Sequence, residues 1–397
     1  MRWVVVFLSL FVILVAEDQH LNANGPFGKR HTINDEPSPY ACDRSEGLSS
    51  SSTTLTISNL NVSATVYSSN EEIIVTWTPL ASACEDDFIG VYFVEIPIEK
   101  GSYATFLMTY SYNIINKFIL SLACGYFDYE FVKAEQSSSS WQMVNLRRQL
   151  EFRYYSREHS CKGNYSLIAK SSVIQPDNYN EPTHIHLAYG DRIDQMFVSY
   201  LTNSSQYTPQ CRYGLDPSSL NFRQNGTSTT YKASDMCEGK ATIIGPQNFI
   251  DPGYMHTMLL EDLRPSTTYY YRVGTDEHGW SAVYSFTNRP ANKEEEVYIV
   301  AYGDMGVSPV GAGAKPTIDR VTARVTSLNV TCLLHIGDIS YARGIGALWD
   351  SFMTQIQPIA SHIPYMVGNG NHEYDHITGG DKDPSHAPGP GGFQPGW

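Results

Sequence analysis

Apolar and polar positions alternate along this chain with two different periods, and the change of period divides it. From Leu55 onward, short segments carry aromatic and β-branched residues at every second position: "TLTISNLNV", "EIIVTWTPL", "DFIGVYFVEI", "FDYEFVKA", "QLEFRYYS" and "NYSLIAKSSVI". Alternation of this kind, broken by turn residues, predicts antiparallel strands stacked as a β-sandwich over 55–175. A second series of the same character fills 178–290 with "THIHLAYG", "QMFVSYLT", "QCRYGLD", "YMHTMLLEDL", "TTYYYRVGT" and "AVYSFTNRP". The polar connector "NRPANKEEE" then ends the alternation.

Over 296–397 the pattern is of another kind. "EVYIVAYGD", "TCLLHIGD" and "IPYMVGNGNH" are almost continuously apolar, as strands covered on both faces are. Between them Ile318, Val321, Val325 and Leu328, and then Leu348, Phe352 and Ile356, recur at helical spacing, with Pro316 suited to a first turn. The order β-α-β-α-β implies parallel strands joined by right-handed crossovers. The expected fold is therefore multidomain: an N-terminal β-sandwich, a second β-sandwich and an α/β unit. Within the second, "LEDLRPSTTYYYRVG" is similar to the late-strand signature of type III fibronectin domains.

The N-terminal stretch "MRWVVVFLSLFVILVAED" places Arg2 before an apolar run that reaches Ala16, the layout of a secretory signal over 1–16 and too short for a comfortable membrane span. A polar linker follows over 17–54. Secretion fits five Asn-x-Ser/Thr triplets, at Asn61, Asn164, Asn203, Asn225 and Asn329, which predict N-glycans. Of seven cysteines, the six before residue 300 could form up to three disulfides, while Cys332 in "VTCLLHIG" reads as a buried free thiol. A formal charge of -14 and a pI near 5.3 argue against a nucleic-acid or anionic-membrane binder. Any phosphate must then be gripped locally.

Candidate chemistry gathers where the buried runs stop. Each closes on glycine and a donor: Gly303 with Asp304, Gly337 with Asp338 and Tyr341, Gly370 with Asn371 and His372. In parallel sheets, ligands bind beyond the carboxyl ends of the strands, so three loops distant in sequence should converge. Carboxylates and a phenolate suit a hard cation such as ferric iron, and an amide oxygen suits a divalent partner. The similar "AYGDRID" around Asp191 falls in an expected hairpin and reads as a turn. His335, His362, His376 and His386 read as core or surface histidines.

"GDMG", "GDISY" and "GNHE" together resemble the first three metal motifs of the purple acid phosphatases, in the right order and with helical spacers. "FIGVY", "DMCEGKAT", "DPGYMHT" and "VGTDEHGWS" extend the likeness to the large, plant-type members. The resemblance implies that the third unit is the first part of an α/β metallophosphatase domain. It further implies Asp304 on a ferric ion, Asp338 bridging both ions, and Tyr341 as the phenolate that colours the family. Asn371 would then bind the divalent ion (Fe, Zn or Mn), and His372 would act as an outer-sphere catalytic group. The implied reaction is hydrolysis of small phosphate monoesters through metal-bound hydroxide by a secreted protein, with no nucleic acid and no membrane after signal removal. The later family motifs V-x-x-H and G-H-x-H do not follow "GNHE" here, which suggests an incomplete copy of a longer enzyme. Two alternatives stand beside this reading: a nucleotide phosphodiesterase or pyrophosphatase on the same scaffold, and a non-catalytic secreted β-domain binding module.

Overall fold

The computed structural model describes residues 3–7, 59–80, 84, 87–94, 103–107, 119–123, 126–133, 135–156, 166–235, 249–291, 297–308, 313–342, 346–370 and 373. The N-terminal unit packs two antiparallel sheets. One contains Ser166–Lys170, Leu150–Ser156, Phe88–Phe93 and Tyr126–Phe131 in that order; the other contains Leu60–Val62, Glu72–Trp77 and Ser138–Gln142. Glu72–Trp77 alternates as expected, burying Ile73, Val75 and Trp77. Phe88–Phe93 and Leu150–Ser156 do not alternate, because every residue in both is buried. The two charges this traps are matched to each other: Arg153 Nε donates to Glu151 Oε1 at 2.8 Å, and the guanidinium lies 4.5 Å from the Tyr92 ring centre. Cys84 is disulfide-bonded.

The second unit has the sheet Thr183–Tyr189, Met196–Thr202, Tyr254–Leu260, Thr227–Thr229 facing a sheet in which Thr268–Thr275 pairs Gln210–Gly214, Gly279–Trp280 and Tyr284–Thr287. Leu187, Val198, Met258, Tyr271 and Val273 form its core, and Asp191 is exposed in the hairpin between the first two strands. Cys211 corrects the cysteine reading. It is a free thiol with 0% exposure inside this core, and burial pushes its pKa upward, so three disulfides among the first six cysteines are excluded.

His256 lies in the same core, its Nε2 2.7 Å from Thr202 Oγ1 and its Nδ1 2.8 Å from Ser228 Oγ. Burial lowers its pKa to about 4. Below the ordinary value of 6.5 the unfolded chain takes up a proton that the folded domain refuses, so stability falls as pH drops from 6.5 to about 4. Chemical denaturation at pH 7 and pH 4.5 should differ by about 2.5 kcal/mol from this group, a difference that His256→Gln removes.

The third unit is parallel, as its continuous apolar runs require. Val297–Tyr302, Val330–His335 and Tyr365–Val367 lie side by side, crossed over by helices α1 (Ala314–Ser327) and α2 (Gly346–Ala360). The predicted helix faces pack: Ile318 and Val321 are buried on α1, and Leu348, Phe352 and Ile356 on α2. Cys332 is free and buried, as expected. Trp3–Phe7, within the stretch that reads as a secretory leader, forms a parallel strand on the outer edge beside Val297–Tyr302. The run of valines there suits a strand as well as an apolar leader.

The three units meet at one buried ion pair. Arg147 of the first unit donates through Nη2 to both carboxylate oxygens of Asp350 on α2, at 2.9 and 3.1 Å. His184 of the second unit places Nε2 3.5 Å from Asp350 Oδ1. Burial, reinforced by Arg147, holds His184 neutral, and burial also pushes the Asp350 carboxyl up while Arg147 pulls it back. Around this point the second unit clasps α2: Ile185 N–H donates to Gln357 Oε1 at 3.1 Å, and Tyr271 O–H donates to the Ser361 carbonyl at 2.7 Å.

Candidate metal centre

The loops beyond the first two parallel strands are laced together by backbone. Asp304 N–H donates to the Gly337 carbonyl at 3.2 Å, and Gly306 N–H to the Ile339 carbonyl at 2.9 Å. The third loop joins through Gly368 N–H, 2.8 Å from the His335 carbonyl. Two glycines make this closeness possible. Gly337 has φ +113°, and a Cβ on Gly370 would stand 2.1 Å from Asp338 Oδ1.

These loops bring Asp304, Asp338 and Tyr341 together. Tyr341 O–H donates to Asp304 Oδ1 at 2.9 Å and lies 3.3 Å from Asp338 Oδ2. All three adopt left-handed backbone, with φ of 54°, 51° and 52°. Such conformations are uncommon outside glycine, and a bulky tyrosine is a clear outlier; strain of this kind clusters at functional sites. Asp338 is 9% exposed, Tyr341 half-buried and Asp304 open to solvent. Burial raises the Tyr341 phenol above its ordinary range, and the Asp338 and Asp304 carboxylates raise it further. Burial and the two neighbouring carboxyl groups thus hold the phenol in its protonated form. A multivalent cation in the same place would invert that preference and take the phenolate.

The donor set fits a hard cation: two carboxylates and one phenol oxygen, all oxygen, in mutual contact. Among the described residues no group of three or more His, Cys, Asp and Glu side chains could hold a metal, so the constellation depends on the tyrosine. Asn371 and His372, the other two candidates, lie outside the described residues, as do His376 and His386. His335 is a core residue with 0% exposure, its Nδ1 2.8 Å from Tyr365 O–H; burial lowers its pKa to about 3. The exposed His362 faces the Ser285 carbonyl through Nδ1 at 2.8 Å, away from the carboxylates' loops.

Glu373 has a role that sequence reasoning missed. Its carboxylate accepts the backbone N–H groups of Asp338 at 2.9 Å, Ile339 at 2.7 Å and Gly370 at 2.6 Å, and it is 2% exposed. One buried acid therefore ties the second loop to the third. The only signal was the closing Glu of "GNHE". Glu373→Ala leaves three amides without an acceptor and should cost about 3 kcal/mol, at the low end of the penalty for stranded buried donors. Gly370→Ala should push the Asp338 carboxylate aside. Thermal melts paired with iron analysis would show both effects.

Comparison with known proteins agrees with this architecture. A family profile described as the purple acid phosphatase N-terminal domain matches residues 182–288. The chain is 29% identical over 338 residues to "Probable inactive purple acid phosphatase 9" of Arabidopsis thaliana, covering 78% of this chain and 48% of that protein. It is 29% identical over 196 residues to "Purple acid phosphatase 22" of the same plant, covering 49% of this chain and 39% of the relative. It thus spans less than half the length of these curated relatives. The solved structure of purple acid phosphatase PPD1 from yellow lupin (Lupinus luteus) seeds superposes with a TM-score of 0.64 at 24% identity, over 80% of this chain and 57% of that one, and supports the fold. With two β-sandwiches leading into a parallel α/β unit, the chain is similar to the purple acid phosphatases in both sequence and architecture.

Proposed function

We propose that the full-length protein is a secreted, glycosylated phosphatase that hydrolyses phosphate monoesters at a binuclear Fe(III)-M(II) centre, M being iron, zinc or manganese. The observation that carries this reading is the convergence of Asp304, Asp338 and Tyr341 on one point. Asp304 and Tyr341 would hold the ferric ion, Asp338 would reach both ions, and Asn371 would hold the divalent one. When bound, the ion pair supplies charge neutralisation for the phosphoryl oxygens and acidifies a water. His372 would hydrogen-bond the phosphate or the leaving oxygen. The Glu373 carboxylate, by fixing the Asp338 amide, would keep the shared carboxylate in place.

A second reading is a metal- or phosphate-binding protein without turnover. The name "Probable inactive purple acid phosphatase 9" favours it. The two readings separate in one assay: full-length protein, its iron content measured, is offered p-nitrophenyl phosphate and the corresponding diester at acid pH. Monoester turnover that tracks iron content supports the phosphatase, and preference for the diester indicates phosphodiesterase chemistry. Bound iron without turnover of either supports the binding protein.

A further inference from the structure

Between the two β-sandwiches lies an open cavity of about 410 Å³ whose walls include Arg148, Gln149, Tyr179, Asp251 and Asn203. That volume is within the roughly 300 to 1,000 Å³ of small-molecule sites. The lining is unlike a phosphate site, since Arg147 is paired with Asp350 and Asp251 sets a carboxylate in the same wall as Arg148. It is instead a set of planar hydrogen-bonding groups around one aromatic ring, the chemistry that recognises vicinal hydroxyls and the apolar face of a sugar.

Asn203 opens the triplet Asn203-Ser204-Ser205, and its side chain is exposed with no hydrogen-bond partner among the described residues. Asn61, Asn225 and Asn329 are exposed as well, and none of them lines this cavity. We propose that the glycan on Asn203 folds back into the cavity, its first sugar residues packed on Tyr179 and hydrogen-bonded by Arg148, Gln149 and Asp251. Tethering makes weak recognition sufficient: a ligand on a short link reaches millimolar effective concentration, so a site of millimolar affinity is substantially filled. The seat adjoins the buried junction of the three units, because Arg147, the partner of Asp350, belongs to the same wall. A seated glycan would therefore brace the two sandwiches against each other.

This inference rests on the secretory reading and is independent of the phosphatase reading. The test is endoglycosidase digestion of the native full-length protein, secreted from a host that adds high-mannose glycans, with site-by-site release followed by mass spectrometry. Release at Asn203 should be at least 10-fold slower than at Asn61, Asn225 and Asn329, and should match them after denaturation. Tyr179→Ala, or Arg148→Ala should the first variant fail to fold, should restore rapid release. The proposal is overturned by a bare Asn203 beside occupied sites, or by release there as fast as elsewhere. Finding no site occupied would overturn it together with the secretory reading.

Discussion

Asp338→Asn in the full-length protein is expected to lower kcat/KM for a phosphate monoester by about 10³-fold, or about 4 kcal/mol of transition-state stabilisation, and to deplete bound iron. Asparagine is the informative replacement because Asp338 has φ 51°, a conformation that asparagine tolerates better than alanine. Shape, backbone and the hydrogen bond that the Asp338 N–H donates to Glu373 are then kept, and only the charge is lost. That charge lies 3.3 Å from the Tyr341 hydroxyl, and its loss leaves Asp304 as the one described carboxylate in contact with the phenol. His372→Ala should behave differently, cutting turnover by about 10²-fold or more while leaving iron in place, as loss of an outer-sphere proton or phosphate contact would. Retention of iron and turnover in Asp338→Asn, with loss of both in His372→Ala, would reverse the assigned roles.

Asp350→Ala should destabilise the protein by about 3 to 5 kcal/mol, the cost of leaving a buried partner charge uncompensated. Arg147 is then stranded with 4% of its side chain exposed, and its Nε already has no hydrogen-bond partner among the described residues. The double variant Arg147→Met/Asp350→Leu should recover most of the loss, since it removes both charges and fills the space. Denaturant unfolding followed by probes in the sandwiches and in α2 gives a second readout. Wild type should unfold in one concerted step and Asp350→Ala in separated steps, because this pair links the first unit to the third and His184 brings in the second. Coincident transitions in the variant would show that the junction does not couple the units.

How far the sequence could lead follows from the range of the interactions. The α/β unit was legible because Val297–Tyr302, Val330–His335 and the helices between them are each specified locally, by continuous apolar runs and by apolar residues at helical spacing. The convergence of Asp304, Asp338 and Tyr341 followed from strand order alone. Ser138–Gln142 was not legible, because its serines carry no alternating apolar signal and its pairing with Glu72–Trp77 is set by partners over sixty residues away. The Arg147–Asp350 pair spans 203 positions and joins two polar residues with no local signature. Glu373 was hidden for a different reason: it acts on backbone amides, and no side-chain pattern reports which amides will lack partners. The left-handed backbone at Tyr341 was equally silent, since tyrosine is the wrong residue from which to expect it.

In the proposed function, Tyr341 would complete the set of oxygen donors for ferric iron. The most direct measurement is the visible absorption of the full-length protein, with iron quantified in the same sample, for wild type and Tyr341→Phe. A phenolate-to-iron band is expected in the wild type and is expected to be lost in Tyr341→Phe while the fold, read by circular dichroism, is unchanged. Iron-loaded wild type without such a band, or a band that survives in Tyr341→Phe, would contradict that role.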